Sequence, residues 1–307
     1  MKKYLNFPGS NFLIPMFLTA IIYTFVPDVL TLGYPFSGLF TQDATFFIIS
    51  TLLIVSGIQT DLRKLPKLMT SIGTVIVIKI MLVLLVTQLW IVLFPISGVF
   101  QITALSIVSV LMSCNPGMYL VLIGEDITSI EKSGFSLVNL LMLPVLPLIL
   151  ISVGQSKVDI LIPILTSLLP FLIGIVIGEL FPKSRNMFAP LSMLLIPFLA
   201  VTFGARINLL NSFHSIGSGI ILLILFYLVL VFPLSKIDDI LNDNGGRVSL
   251  SMHSVAAFSM SIPPFIATYI PEWQPYVSQS VTQIAFVVII SSFLTPFIYK
   301  KLITKNN

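Results

Sequence analysis

Charge is what this sequence has least of. Asp, Glu, Lys and Arg make up 9% of its 307 residues, against about 25% in a soluble globular domain. Hydrophobic residues reach 56% and mean hydropathy is +1.06, so the composition is that of a polytopic membrane protein. Cysteine occurs once, as Cys114, which excludes an intramolecular disulfide. With two histidines beside it, a cysteine-ligated metal site of the ordinary kind is excluded too, and no metal is expected. The chain has no His-Glu-x-x-His, no Gly-x-Ser-x-Gly and no Walker loop. An enzyme is therefore not expected, nor catalytic residues, nor a cofactor beyond a coupling ion. The net charge of +4 is not a nucleic-acid signal, because the basic residues sit in short loops and act as topology determinants. Met1-Lys2-Lys3 leads into apolar sequence without a small-residue cleavage site, so no cleavable signal peptide is expected.

What the chain has is apolar length. A membrane helix needs about 20 largely apolar residues. Ten such spans are read, near 11–27, 43–61, 69–94, 102–123, 134–153, 158–181, 187–204, 216–234, 249–270 and 279–299. Placing both ends in the cytoplasm puts thirteen basic residues on the inside, from Lys2 to Lys305. Lys157 and Arg206 then fall outside, and Lys79 falls within a span. That asymmetry supports an even number of spans.

The two halves resemble each other. Gly57-Ile-Gln-Thr-Asp-Leu62 parallels Gly204-Ala-Arg-Ile-Asn-Leu209, 147 residues on (204 − 57). Pro116 and Pro263 are also 147 residues apart (263 − 116). Five spans per half is an odd number, so the second half must enter the membrane from the opposite side. The expected fold is all-α, with ten transmembrane helices as two inverted five-helix repeats, residues 1–156 and 157–307.

The stretch that organises the chain is Met-Ser-Cys-Asn-Pro-Gly-Met-Tyr at 112–119, inside the fourth span. Pro116 beside Gly117 breaks the hydrogen-bond ladder where no water can replace it. A counterpart, Met-Ser-Ile-Pro-Pro-Phe at 260–265, lies inside the ninth span, with Pro263 and Pro264 as its breakers. Paired interruptions in matching positions point to a transporter's substrate site. Ser113, Cys114, Asn115, Gly117 and Tyr119 supply the first half of that site, and Ser259 and Ser261 the second. The competing reading is a proline kink whose serines bond their own helix. Lys79, deep in an apolar run, either faces a cavity as a functional charge or snorkels to the interface. His253 is expected at the interface near Arg247. Gln59, Asp61, Arg206 and Asn208 gate a pathway or cap helices. Gln283 is a candidate site residue whose ordinary role would be interhelical bonding, Thr295-Pro296 is expected to end the tenth span, and Glu125 closes the fourth.

Read in order, these residues resemble the 2-keto-3-deoxygluconate permease family of bacterial sugar-acid carriers, over about residues 14–300. The resemblance rests on Pro15, Ala20, Thr24, Phe25, Pro27, Leu30, Gly33, Leu39 and Phe40 early in the chain, and on Lys79. Asn115, Gly117 and Tyr119 match the family's Thr-Asn-Ser-Asn-Gly-Gly-Leu-Tyr, followed by Gly124-Glu125. Ile196 to Leu209 is close to Ile-Pro-Phe-Phe-Ala-Phe-Ala-Leu-Gly-Ala-Gly-Met-Asn-Leu, and Gln283, Ala285, Leu294, Thr295 and Pro296 come after it. It implies a fold related to bile-acid/sodium symporters, with core and panel subdomains in one integral membrane unit and with broken helices four and nine crossing. It also implies sugar-acid import with protons. The sequence departs from the family at Leu141-Met142-Leu143, where Asn-Asp-Gly is expected, at Phe258, where Asn is expected, and at Ser113 and Cys114.

The functional expectation is a secondary transporter moving a small organic anion, sugar-acid or keto-acid-like, by alternating access. It would sit in the bacterial inner membrane, coupled to H+ or Na+, with lipid as its surroundings, no nucleic acid, and a homodimer left open. Alternatives are a sodium-coupled, bile-acid-like carrier and a non-transporting homologue acting as sensor or scaffold.

Overall fold

The structure is a computed structural model that describes residues 10–64, 72–123, 137–138, 141, 143–153, 161–212 and 215–303. Glu125 and Met142 lie outside the described residues. The described chain is helical, and its sole pairing of β type is an isolated bridge between Val99 and Ile102. The principal helices are α1 (Ser10–Phe25), α2 (Gln42–Gln59), α3 (Gly73–Leu93), α4 (Ala104–Met112), α5 (Pro116–Ile123), α6 (Val145–Ser152), α7 (Leu161–Leu180), α8 (Lys183–Gly204), α9 (Ile216–Leu225), α10 (Phe232–Asn242), α11 (Arg247–Met252), α12 (Ile262–Tyr269) and α13 (Val277–Ile303). A π-helical turn, Phe226–Val231, joins α9 to α10. Among the described residues six stretches are long and apolar enough to cross a membrane, and Ile14–Phe25 and Ala104–Tyr119 are shorter apolar helical stretches. This is a multi-pass membrane protein.

The chain divides into two compact units. The first combines Met1–Asp61 with Leu161–Ser215. In it α2 packs on α7 at backbone distance. A Cβ on Gly174 would overlap the Ile54 carbonyl and come within 2.9 Å of the Gly57 Cα, and Gly178 faces the Ile58 backbone. Small residues are needed wherever two membrane helices approach this closely. Arg185 donates to Ile58 O (3.2 Å), Thr60 O (3.4 Å) and Glu179 Oε1 (2.6 Å), and lies 4.0 Å from Asp61. It thereby ties off the end of α2. Gln59 Nε2 donates to Arg185 O (2.7 Å). Arg206 donates to Thr45 Oγ1 (3.4 Å), and Asn208 Oδ1 accepts from Leu210 N (3.1 Å). The four polar residues at these span ends are therefore engaged in capping and tying bonds.

The second unit combines Leu62–Ile160 with Ile216–Asn307. Helix α3 shows its logic. Val75, Ile76, Lys79, Val83 and Thr87 form a buried stripe at helical spacing, while Val77, Met81, Leu85, Leu89 and Val92 are exposed. Both faces are apolar in the main, as suits a helix with protein on one side and lipid on the other. Two expectations are corrected here, for Pro296 and His253, while Gln283 takes the interhelical role expected of it. Pro296 does not end the last span, since α13 runs on to Ile303 with the proline inside it. Neighbouring groups satisfy what a membrane proline frees, so the helix continues. Gln283 joins helices: Ser106 donates to its Oε1 (2.6 Å), and its Nε2 donates to Gln101 O (2.8 Å) and Ser218 Oγ (2.9 Å). His253 is wholly buried rather than interfacial.

Candidate functional site

The first interruption is built by three adjacent residues. Helix α4 opens on Thr103, whose Oγ1 accepts from Ser106 N (3.3 Å), and ends at Met112. Ser113 is already out of the helix at φ −57°, ψ 141°. Pro116 cannot donate to Met112 and biases Asn115 away from the helical region. The same proline is well placed as the first residue of α5. Asn115 is the cap of that helix: its Oδ1 accepts from Met118 N (3.0 Å). Gly117 is exposed, and Tyr119 is fully buried.

The second interruption does not sit where the prolines suggest. Pro263 and Pro264 lie in the first turn of α12, where a missing N–H costs nothing. The chain opens earlier, from His253 to Ala256, and passes through a 3-10 segment, Ala257–Ser261, before α12 begins. Pro116 and Pro263 thus act alike, each opening the half-helix that comes after an irregular stretch. Ser261 turns back on its own chain, donating to Phe258 O (2.7 Å). This is the local role expected of a membrane serine.

The two interruptions are bonded to each other. Asn115 N donates to Met252 O (3.0 Å). Ser113 Oγ accepts from Ala256 N (2.8 Å) and from Ser259 Oγ (2.6 Å). One hydroxyl therefore holds a backbone amide and a side chain from the opposite segment. Helix α13 supports the second interruption: Ser291 Oγ accepts from Val255 N (3.1 Å), and Thr295 Oγ1 donates to His253 O (3.1 Å). Asp238, buried at the end of α10, takes Ser249 N (2.8 Å) and so holds the start of α11.

Lys79 reaches into this joint. Its side chain is wholly buried, and Nζ donates to Ser113 O (2.6 Å) and to Cys114 Sγ (2.9 Å). The snorkelling alternative is thereby excluded. The carbonyl it meets lies just beyond the C-terminal end of α4, where unsatisfied carbonyls and the helix dipole favour a cation. Of the site residues expected from the sequence, the structure gathers Lys79, Ser113, Cys114, Asn115 and Ser259. It also buries polar atoms that have no hydrogen-bond partner among the described residues: His253 Nε2, Ser254 Oγ and, on the stripe of Lys79, Thr87 Oγ1. Sequence reasoning places His253 and Ser254 with the second interruption but takes His253 for an interfacial residue, and it misses Thr87.

Comparison with known proteins bears on what this joint serves. The family model described as 2-keto-3-deoxygluconate permease matches residues 1–307, the whole chain. The chain belongs to the 2-keto-3-deoxygluconate permease family. A protein of that name from Pectobacterium atrosepticum is 29% identical over 299 residues, covering 95% of this chain and 93% of its own. One from Xanthomonas euvesicatoria is 26% identical over 298 residues, covering 95% and 93%. One from Escherichia coli is 27% identical over 301 residues, covering 95% and 90%. The family is one of transporters, not enzymes. Leu141 and Leu143 are each 4% exposed and Phe258 is 7% exposed, so the side chains at these positions are apolar and buried.

Proposed function

We propose that this permease is a secondary active transporter that moves a small organic anion of the sugar-acid or keto-acid class by alternating access, driven by a coupled ion. The observation that carries the reading is the joint between the two interrupted segments. Ser113 accepts from Ala256 N and Ser259 Oγ, and Lys79 brings a positive charge to the same residue. Interrupted helices at the middle of a membrane supply backbone donors for a carboxylate and backbone carbonyls for a cation. Asn115, Ser113, Cys114 and Ser259 line this joint and are proposed to contact substrate or ion, with Gly117 permitting close approach at the start of α5. The names of the relatives supply the substrate class, a hydroxylated keto acid. Phe258 and Leu141 stand where polar residues are expected, so the substrate admitted here makes fewer hydroxyl contacts.

The architecture proposed with it is ten transmembrane helices in two inverted repeats, residues 1–156 and 157–307, with both termini on the cytoplasmic side of the inner membrane. The shared 147-residue offset and the distribution of Lys and Arg support it.

Uptake of labelled 2-keto-3-deoxygluconate and related keto acids into proteoliposomes tests the reading. Asn115→Asp keeps a good helix cap but places a negative charge where an anion would bind. It is expected to fold like the parent and to lose uptake at least ten-fold, and Asn115→Ala is expected to lose uptake and about 1 kcal/mol of stability. Parental rates in both variants would remove the site assignment. Substrate binding without flux in the parent protein would favour a sensor or scaffold instead.

A further inference from the structure

Lys79 holds the place an ion would hold. Among the described residues it is the one lysine or arginine with none of its surface exposed. No described carboxylate pairs with it; the ion pairs among the described residues join Arg185 to Asp61 and to Glu179. A buried ammonium without a counter-ion is costly in a membrane and is retained for a reason. The two groups that receive it are Ser113 O, freed by the end of α4, and the Cys114 thiol.

The neighbouring elements offer it no other partner among the described residues. Helices α4 and α6 carry no titratable side chain, and the π-helical turn brings Tyr227, whose hydroxyl bonds Thr295 (2.6 Å). Helix α10 brings Lys236, Asp238 and Asp239. Asp238 is occupied by Ser249 N, Asn242 Nδ2 and Asn244 Nδ2, and Asp239 by Gly245 N. The second interruption brings His253, whose Nδ1 lies 2.6 Å from Ser249 O. No group among these neutralises Lys79 in place.

We infer that Lys79 is the coupling residue of this permease: it carries the proton that moves with each substrate carboxylate, and its ammonium replaces a metal ion at the joint. The inference rests on the transport reading above. In the loaded state Nζ binds a proton from the side where substrate enters, and ammonium and carboxylate cross with no net charge. After release Nζ gives that proton to the opposite side, and the neutral amine returns with an empty site. A carboxylate crossing alone would carry an uncompensated charge into apolar surroundings. Proton occupancy is felt at the joint because a charge-assisted bond to Ser113 O is about twice as strong as a neutral one. Ser113 is the residue that holds Ala256 and Ser259.

The experiment is uptake of labelled 2-keto-3-deoxygluconate, and of labelled shorter keto acids with fewer hydroxyls, into proteoliposomes of the intact protein, under an imposed pH gradient and, separately, a sodium gradient at clamped potential. One proton per carboxylate gives accumulation of about ten-fold per pH unit, since a tenfold concentration ratio and one pH unit are the same free energy. Sodium in place of potassium is expected to change nothing. Lys79→Met is expected to lower accumulation to about one-fold and to slow exchange of substrate across the membrane as well, because the carboxylate then crosses without its counter-charge. Lys79→Arg keeps a charge that cannot be given up and is expected to exchange substrate but to lose net uptake. Gradient-driven accumulation in Lys79→Met, parental net uptake in Lys79→Arg, or a sodium-driven parent would each overturn the inference while leaving transport itself intact. Absence of both uptake and exchange in the parent protein would overturn the transport reading and the inference together. Should Lys79→Met fail to fold, the arginine variant and the parent's response to the two gradients still decide.

Discussion

Replacing Ser113 by alanine removes one oxygen that two partners share. Ala256 N–H is 2.8 Å from it, and Ala256 is 6% exposed. Without that acceptor a buried amide is left unsatisfied, which costs about 1–3 kcal/mol. The Ser259 hydroxyl, 2.6 Å away, loses its acceptor as well, which adds about 1 kcal/mol. Ser259→Ala removes only this second bond, because Ser113 Oγ still accepts from Ala256. The expected loss there is about 0.5–1.5 kcal/mol. Ser113→Ala is therefore expected to destabilise about two to three times as much as Ser259→Ala. The double variant is expected to match Ser113→Ala closely, since the shared bond is already gone. Unfolding in detergent, tracked by heat or by titration with a denaturing surfactant, measures all three on one scale. A Ser259→Ala loss equal to or larger than that of Ser113→Ala would refute the assignment of Ser113 as the shared acceptor.

Two further substitutions probe the surrounding scaffold. Gly174→Ala pushes a methyl group into the Ile54 carbonyl, whereas a Cβ on Gly117 finds its nearest neighbour at 3.5 Å, an ordinary contact. The first is expected to cost about 1–3 kcal/mol of overpacking and the second close to nothing; equal melting temperatures would refute the close approach of α2 and α7. Asp238→Ala strips the acceptor from buried Ser249 N and frees the amides of Asn242 and Asn244. A loss of about 2–3 kcal/mol is expected, as for hydrogen bonds to a charged group, and a melting temperature within a degree of the parent would show that α11 does not depend on Asp238.

The first interruption is legible in the sequence because Asn-Pro-Gly leaves an apolar span few alternatives: proline removes the helix bond and asparagine caps the next half-helix. The second is legible as an event, but its position is not. Prolines report where a helix starts as readily as where one stops, and Pro263-Pro264 start α12. The opening at His253–Ala256 contains no proline or glycine, and bonds from residues distant in sequence hold it, 143 residues in the case of Ser113 to Ala256. Such pairings leave no local trace. Lys79 is ambiguous in sequence for a similar reason. A lysine stem is long enough to reach an interface or a neighbouring helix, and only the position of α4 decides between them. Gly174-x-x-x-Gly178 is readable as a helix-packing motif and marks the α2–α7 approach. Gln283 and Ser261 are legible only as polar residues in apolar surroundings; the protein groups they bond lie on other helices for Gln283 and on its own chain for Ser261.

The joint is almost self-sufficient in hydrogen bonds, and that limits what can occupy it. Asn115 N, Ala256 N, Val255 N and the oxygens of Ser113 are all engaged within the protein. The buried polar capacity left over is small. His253 Nδ1 lies 2.6 Å from Ser249 O, which can only accept, so Nδ1 carries the proton and Nε2 presents a lone pair. That lone pair and Ser254 Oγ have no partner among the described residues. A ligand entering here must either satisfy those two groups or displace a bond the protein already makes. Displacing the bond between Asn115 and Met252 would part the two segments. Satisfying His253 and Ser254 requires no more than one or two hydroxyls, fewer than a fully hydroxylated sugar acid offers. Buried Phe258 offers no further polar contact. On the proposed reading of the joint as the substrate site, the arrangement favours a short carboxylate with sparse hydroxylation over a polyhydroxylated chain, because each hydroxyl brought into an apolar site without a partner costs about 1–3 kcal/mol.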